Sequence, residues 1–234
     1  MNKSILLSIR PEHCFNITSG AKTEEVRKAI GFFNITEHSV PFKVYMYCTK
    51  GNKHVALTVD NSGNTALFAC CDYRTAIPCG CEIANGKVFG EFICDRITEY
   101  ESEFLDDFTY ENIKEVRTDD DGEEEFIVIA ENGEDNRLCR ALCLTWDELR
   151  TYIGTGDKRF YSMHISNLVI YDTPKELYQF ERPCPGNEEC TECKHYRTEG
   201  ITGDTYCQWA KDGNFQIQKA PQSWCYVREI TNDC

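Results

Sequence analysis

The sequence predicts an α+β fold around a mixed, barrel-like sheet. Three observations point there: many short runs of β-branched and aromatic residues, a few short helical signals scattered among them, and no alternating strand–helix rhythm of the kind that builds a parallel sheet. With 234 residues, 41% of them hydrophobic, the chain can bury one full core and carry a small module beside it.

Taken in order, residues 5–9 read as a strand. Pro11 at a first helical turn and Gly20 past the last bracket a helix over 11–19. Residues 24–30 fit either a strand or a helix. Residues 42–48 alternate aromatic and β-branched side chains and form a strand. Strands over 54–59 and 65–70 flank Asn61-Ser62-Gly63-Asn64, a hairpin turn. Residues 86–94 are a further strand, in which Gly90 marks a bulge or a close backbone approach. One strand, 125–130, precedes Asn132-Gly133. Thr145 and Glu148 form a capping box that opens a helix ending near Gly154. A long strand over 161–171, a short helix starting over 173–177 and a closing strand over 224–228 complete the series.

The formal net charge of −14 is unevenly spread. Between Glu99 and Arg137, sixteen Asp/Glu face three Lys/Arg, whereas residues 1–50 hold seven Lys/Arg against four Glu. The acidity therefore belongs to one segment. Its plain reading is a solvated hairpin or loop, and its sharper one is a patch that docks a basic partner protein or mimics nucleic acid. No window reaches the roughly 18 continuous apolar residues of a membrane span. The short apolar run before Arg10 falls below the roughly 7–15 residues of a secretory signal. The expectation is a soluble, cytoplasmic protein with no membrane partner.

Of the fifteen cysteines, Cys14, Cys48, Cys94 and Cys225 lie in apolar surroundings and read as core. Cys184, Cys190, Cys193 and Cys207 form a late group whose Cys190-Thr-Glu-Cys193 gap suits two thiolates on one Zn²⁺. The segment around Pro183-Cys184-Pro185-Gly186 is poor in apolar residues and needs a staple, so a structural zinc is expected there, with His195 as a fifth candidate ligand. Cys70, Cys71, Cys79 and Cys81 are spaced poorly for a tetrahedral site and read as a Cys-rich loop without metal.

If residues 23–28 are extended, Thr23, Glu25 and Arg27 share one face and Val26 points to the core, with Lys22 just after a glycine turn. A carboxylate and two cations then meet at one spot, as recognition of a ligand with both donors and acceptors requires. The plain alternative is an exposed ion pair.

The spacing Gly20-x-Lys22-x-x-Glu25-x-Arg27 resembles the signature of ASCH domains, members of the PUA-like superfamily of small β-barrels. Ser8-Ile9-Arg10-Pro11, residues 44–49, residues 86–92, His164-Ile165-Ser166-Asn167-Leu168 and Pro221-Gln222-Ser223-Trp224 resemble the same family in order, in the form often carried by prophages of Gram-positive bacteria. The resemblance implies a PUA-like barrel over 1–181 with an acidic insertion at 99–137. A Cys-rich zinc module over 182–212 and a strand returning to the barrel within 213–234 would follow.

The resemblance also implies a cleft where Lys22, Glu25 and Arg27 face RNA or a modified nucleobase, with Arg10, Glu91, His164 and Trp224 at other recurrent positions. Trp224 or Tyr47 could stack on a base, while Trp224 and His164 also fit core roles. One branch of the family hydrolyses acetylated cytidine with a Lys, a Thr and a Glu, but here Glu25 stands where that branch has its Thr. Three readings follow: a module binding RNA or a modified nucleoside, an amidohydrolase-like enzyme on a modified base, and an acidic protein that docks a host protein through 99–137.

Overall fold

A computed structural model describes residues 4–29, 40–59, 65–72, 81–104, 111–119, 121–131, 136–182, 196–199, 205–213 and 215–230. Its frame is a mixed sheet of nine strands with a few short helices. At its centre β1 (Ser4–Ile9) runs parallel to β3 (Phe42–Cys48), in register from Ser4 opposite Lys43 to Ile9 opposite Cys48. A parallel neighbour needs a crossover, and the chain between the two carries α1 (Pro11–Thr18) and β2 (Glu24–Arg27). Of the ambiguous stretch 24–30, residues 24–27 are thus a strand. Gly20, at φ +74°, makes the turn into it.

The spine of the sheet is the antiparallel pair of β7 (Val88–Phe104) and β10 (Gly156–Lys175). The first half of β7 also pairs with β3, and its second half with β8 (Glu111–Thr118), which in turn pairs with β9 (Glu124–Glu131). Past β1 lie β14 (Trp224–Glu229) and the two-residue β11 (Phe180–Glu181). The order runs open from β11 to β2, and among the described residues no pairing joins the two ends into the expected barrel. Gly90 is the close approach that its position suggested, because a Cβ there would sit 2.4 Å from the Val169 carbonyl oxygen. Smaller sheets join β4 (Lys53–Val59), β5 (Thr65–Asp72) and β6 (Glu82–Ile83), and β12 (Tyr196–Thr198) with β13 (Thr205–Cys207). The turn expected at 61–64 lies outside the described residues.

Strand alternation sorts the core. Ile5, Leu7, Ile9, Val44, Met46 and Cys48 pack under α1 with Cys14, Ile17 and Phe92. Leu6, Tyr45 and Tyr47 point the other way, toward Phe180, Ile217 and Val227. Both faces of the central strands are covered, which is why these strands read as near-continuous apolar runs.

Two expectations need correction. The acidic segment contains the solvated hairpin of its plain reading, β8 and β9, but it holds more than one strand and has a buried face: it also extends β7 to Phe104. Its carboxylates occupy alternate positions, so Glu99, Glu101 and Glu103 share one face while Tyr100 joins Ile113, Ala130 and Phe160 in a second core. That core is closed by α2 (Arg137–Leu142) and α3 (Trp146–Ile153) through Leu138, Leu142, Leu149 and Ile153. The helix expected over 173–177 is instead the end of β10, followed by a single 3₁₀ turn at Leu177–Gln179. Pro174 falls in the irregular stretch between Ile170 and Lys175, where the missing N–H breaks no regular ladder bond. The capping box of α3 is present, Thr145 accepting from the Glu148 N–H while Glu148 accepts from the Thr145 N–H, and the helix stops at Gly154. No helix among the described residues is long and apolar enough to cross a membrane.

Candidate functional site

The turn after α1, the start of β2 and the α2–α3 corner converge on a cavity of about 900 Å³. Lys22 enters it first. Its side chain is buried, and its Nζ donates to the Leu142 carbonyl at 2.7 Å. That carbonyl ends α2, where Cys143 turns the chain in the left-handed region at φ 51°. A lysine at a helix C-terminus satisfies a carbonyl the helix leaves open. The Thr23 N–H holds the same corner by donating to the Ala141 carbonyl at 2.9 Å.

Glu25 and Arg27 follow on one face of β2, and Val26 goes into the second core. Glu25 is only 3% exposed. Its Oε1 accepts a short hydrogen bond from Arg27, and its Oε2 lies 3.3 Å from Lys22 Nζ. Oε2 is held in that ion pair with Lys22 and has no further hydrogen-bond partner among the described residues. Arg27 is anchored further by donating to the Val26 and Ser8 carbonyls, each at 2.9 Å. Burial pushes the Glu25 carboxyl upward, but the Arg27 and Lys22 charges outweigh it and hold the group below its ordinary value. Glu25 is therefore a carboxylate at neutral pH, an acceptor and not a proton donor.

His13, on α1, lines the same cavity with its Nδ1 buried and without a hydrogen-bond partner. Burial first, and the Lys22 charge second, push its imidazole below the ordinary value against the pull of Glu25 and Glu12. Arg10, exposed at the N-terminus of α1, stands at the rim. The far wall is α3, through Asp147, Glu148, Thr151 and Tyr152. It is fixed to β2 by the Tyr152 hydroxyl, which donates to the Val26 carbonyl at 3.4 Å, and by Lys28 over the Tyr152 ring.

The structure thus brings Lys22, Glu25, Arg27 and Arg10 together and places three other expected residues elsewhere. Glu91 pairs with Lys43 at 2.6 Å and accepts from the Tyr171 hydroxyl at 2.5 Å. Burial raises its pKa, but those two hydrogen bonds win and leave it lowered. His164 Nδ1 sits 2.6 Å from an Asp95 carboxylate oxygen on the strand surface. Trp224 packs edge-on to Tyr226 against the main core, although Gln222 and Ser223 just before it do line the cavity. Tyr47 is buried in the opposite core layer. Thr23 is exposed and is not part of the cavity wall.

His13 and the α3 wall are the members that sequence reasoning missed. The capping box placed α3 as a helix, but nothing in one sequence says that it faces β2. Of the expected zinc ligands, Cys184, Cys190 and Cys193 lie outside the described residues, as does His195, and Cys207 is a free, half-buried thiol on β13. Cys70 and Cys71 fall on β5, Cys81 is a free half-buried thiol, and Cys79 lies outside the described residues. Cys14, Cys48 and Cys94 are buried, as expected.

No family model and no curated protein sequence matches the chain. Two solved structures are similar to it over 97% of its length, both at 15% identity. One is ASCH from Zymomonas mobilis, with 90% of that chain covered and a TM-score of 0.38. The other is a ZmASCH mutant protein from the same organism, with 89% covered and a TM-score of 0.39.

Proposed function

We propose that the chain is an ASCH-type protein that binds a nucleobase or nucleoside, free, modified or unpaired within RNA, in the Lys22–Glu25–Arg27 cavity. The observation that carries this reading is the buried carboxylate of Glu25, held ionised between two cations, with one oxygen engaged by the Lys22 ion pair alone among the described residues. A carboxylate oxygen has more than one lone pair, so one held by a single ion pair can also accept from a ligand N–H. The edge of a base offers such donors beside carbonyl acceptors for Lys22 and Arg27.

The charge of the wall favours one base over a long polynucleotide track. Arg10, Lys22, Arg27 and Lys28 are balanced by Glu12, Glu25, Asp147 and Glu148. A groove for many phosphates needs an excess of cations. The hydrolase alternative has less support, because the matched position holds an ionised Glu25 and Thr23 lies off the cavity. The setting that the motif set suggests is the bacterial cytoplasm, in a prophage-borne form.

Equilibrium binding of cytidine, N4-acetylcytidine and a short single-stranded RNA, with duplex DNA as control, tests the reading. Arg10→Ala at the exposed rim and Lys22→Met in the buried centre are the variants. Saturable binding of a nucleoside or RNA, weakened at least tenfold by Lys22→Met in a protein that still unfolds cooperatively, is expected. Binding of none of the probes, or binding indifferent to Lys22, overturns it. Product release from N4-acetylcytidine, lost in Lys22→Met, would move the assignment to the hydrolase.

We also propose that Cys184, Cys190, Cys193 and Cys207 hold a structural Zn²⁺, on the spacing of the four thiols. Elemental analysis of protein purified without chelator should find about one zinc per chain. Metal-free protein with four thiols reactive at native rates rules it out.

A further inference from the structure

The sheet has unequal edges. Its path ends in β11, two residues long, and β2, four residues long, and short edges of this kind blunt unwanted pairing. β9 is eight residues long and, among the described residues, pairs with β8 alone. The middle of β9, Phe126-Ile127-Val128-Ile129-Ala130, holds no charge, no proline and no glycine. Phe126 and Val128 share one face of the strand and are 43% and 45% exposed. Edge strands with this composition are templates for another strand unless something protects them.

What surrounds this edge selects its partner. Asp119, Asp121, Glu123, Glu124 and Glu125 are exposed around one end, and Glu131 is exposed at the other. On the face of Phe126 and Val128 stand Glu99, Glu101 and Glu103, answered by Arg159 and Lys114. An antiparallel second copy would bring the acidic end at 119–125 against Glu131 of its partner at both ends of the edge, which disfavours self-pairing.

We propose that β9 is a docking edge for an extended basic segment of a partner protein, which adds as a strand beside it. Its alternate side chains would lie on Phe126 and Val128, with Lys or Arg at its ends meeting the acidic cluster at 119–125 and Glu131. Main-chain hydrogen bonds to the free edge supply affinity, and the acidic ends supply selectivity. This surface stands apart from the Lys22 cavity, so neither assignment depends on the other.

The test uses the full chain and two labelled ten-residue peptides that alternate valine with arginine or valine with glutamate. Binding is followed by anisotropy at low and high salt, and amide exchange across residues 124–131 is read with and without peptide. The arginine peptide should bind at least tenfold more tightly than the glutamate peptide, lose affinity in high salt and slow exchange in β9. Phe126→Lys with Val128→Lys, both at exposed positions, should remove that binding, whereas Val128→Thr, which keeps strand preference, should retain most of it. No binding of the arginine peptide, equal binding of the two peptides, unaltered exchange in β9, or binding that survives the double lysine variant overturns the proposal. Concentration-dependent dimerisation lost in the double lysine variant would assign the edge to a second copy and overturn it equally.

Discussion

Two clusters in this molecule use the same chemistry in different surroundings. At the start of β2, Lys22 and Glu25 meet with side chains 1% and 3% exposed. Across β3 and β7, Lys43 and Glu91 meet with side chains 36% and 19% exposed, and Tyr171 completes the hydrogen bonding of the carboxylate. Both oxygens of Glu91 accept hydrogen bonds, whereas Glu25 Oε2 has only its ion pair with Lys22 among the described residues. The outer cluster is a finished piece of surface. The inner one holds its charges out of water, where the loss of either partner is felt most.

The largest effect expected from this contrast is on stability. Glu25→Ala leaves Lys22 and Arg27 in a buried position without their counter-charge and should cost about 3–5 kcal/mol. Glu91→Ala should cost no more than about 1 kcal/mol, because water screens the Lys43 pair. Chemical denaturation of both variants checks it. Equal losses would mean that burial does not separate the two clusters.

Acid should expose the same asymmetry. The folded-state pKa of Glu25 is lowered, so its contribution is fully present above the unfolded value near 4.5 and disappears as pH falls through the depressed folded value. His13 is also lowered, so the unfolded chain takes up its proton first and stability starts to fall below about pH 6.5. Wild type should therefore lose stability in two stages on acidification, with His13→Gln removing the upper stage and Glu25→Gln reducing the lower, to which other lowered carboxylates such as Glu91 and Asp95 also contribute. A stability profile that is flat from pH 7 to 5 in wild type would remove His13 from the buried set.

A smaller effect follows from the cavity wall. Thr145→Ala removes the side-chain half of the capping box of α3, leaving Glu148 to accept from the backbone N–H of residue 145, and should cost about 1 kcal/mol. Because α3 carries Tyr152 against β2, ligand binding should weaken with it. Thr145→Asp, which keeps an N-cap acceptor, should restore both. A binding loss that Thr145→Asp fails to restore would detach the wall from the cap.

Most of the strands were legible in the sequence because period-two alternation survives wherever one face is buried. The strands from 5–9 and 42–48, the helix at 11–19 and the capping box all follow from local rules. The acidic segment was misread because its charge density masked the same alternation, Tyr100 hidden between Glu99 and Glu101. The centre of the site was legible through the spacing of Lys22, Glu25 and Arg27. His13, the Leu142 carbonyl and Tyr152 were not, since they arrive through contacts of α1, α2 and α3 with β2 that no local pattern encodes. Glu91 and His164 show the converse. Both match recurrent motif positions, and both are held by neighbours outside the cavity.

The smallest effects test whether those two residues are surface features only. Asp95 sits beside His164, whose hydrogen bond lowers the carboxyl below its ordinary value, yet the Asp95 side chain is 46% exposed. An exposed pair of this kind contributes a few tenths of a kcal/mol and weakens further as salt rises. Asp95→Asn and His164→Gln should each shift stability by less than about 0.5 kcal/mol, with no change in nucleoside or RNA binding. Glu91→Gln keeps the acceptor for Tyr171 and should stay within about 1 kcal/mol of wild type, again with binding intact. A tenfold loss of binding in His164→Gln or Glu91→Gln at unchanged stability would show that the ligand reaches across the sheet from the Lys22 cavity. The boundary of the site would then be set by the ligand's length, and not by the burial that separates the two clusters.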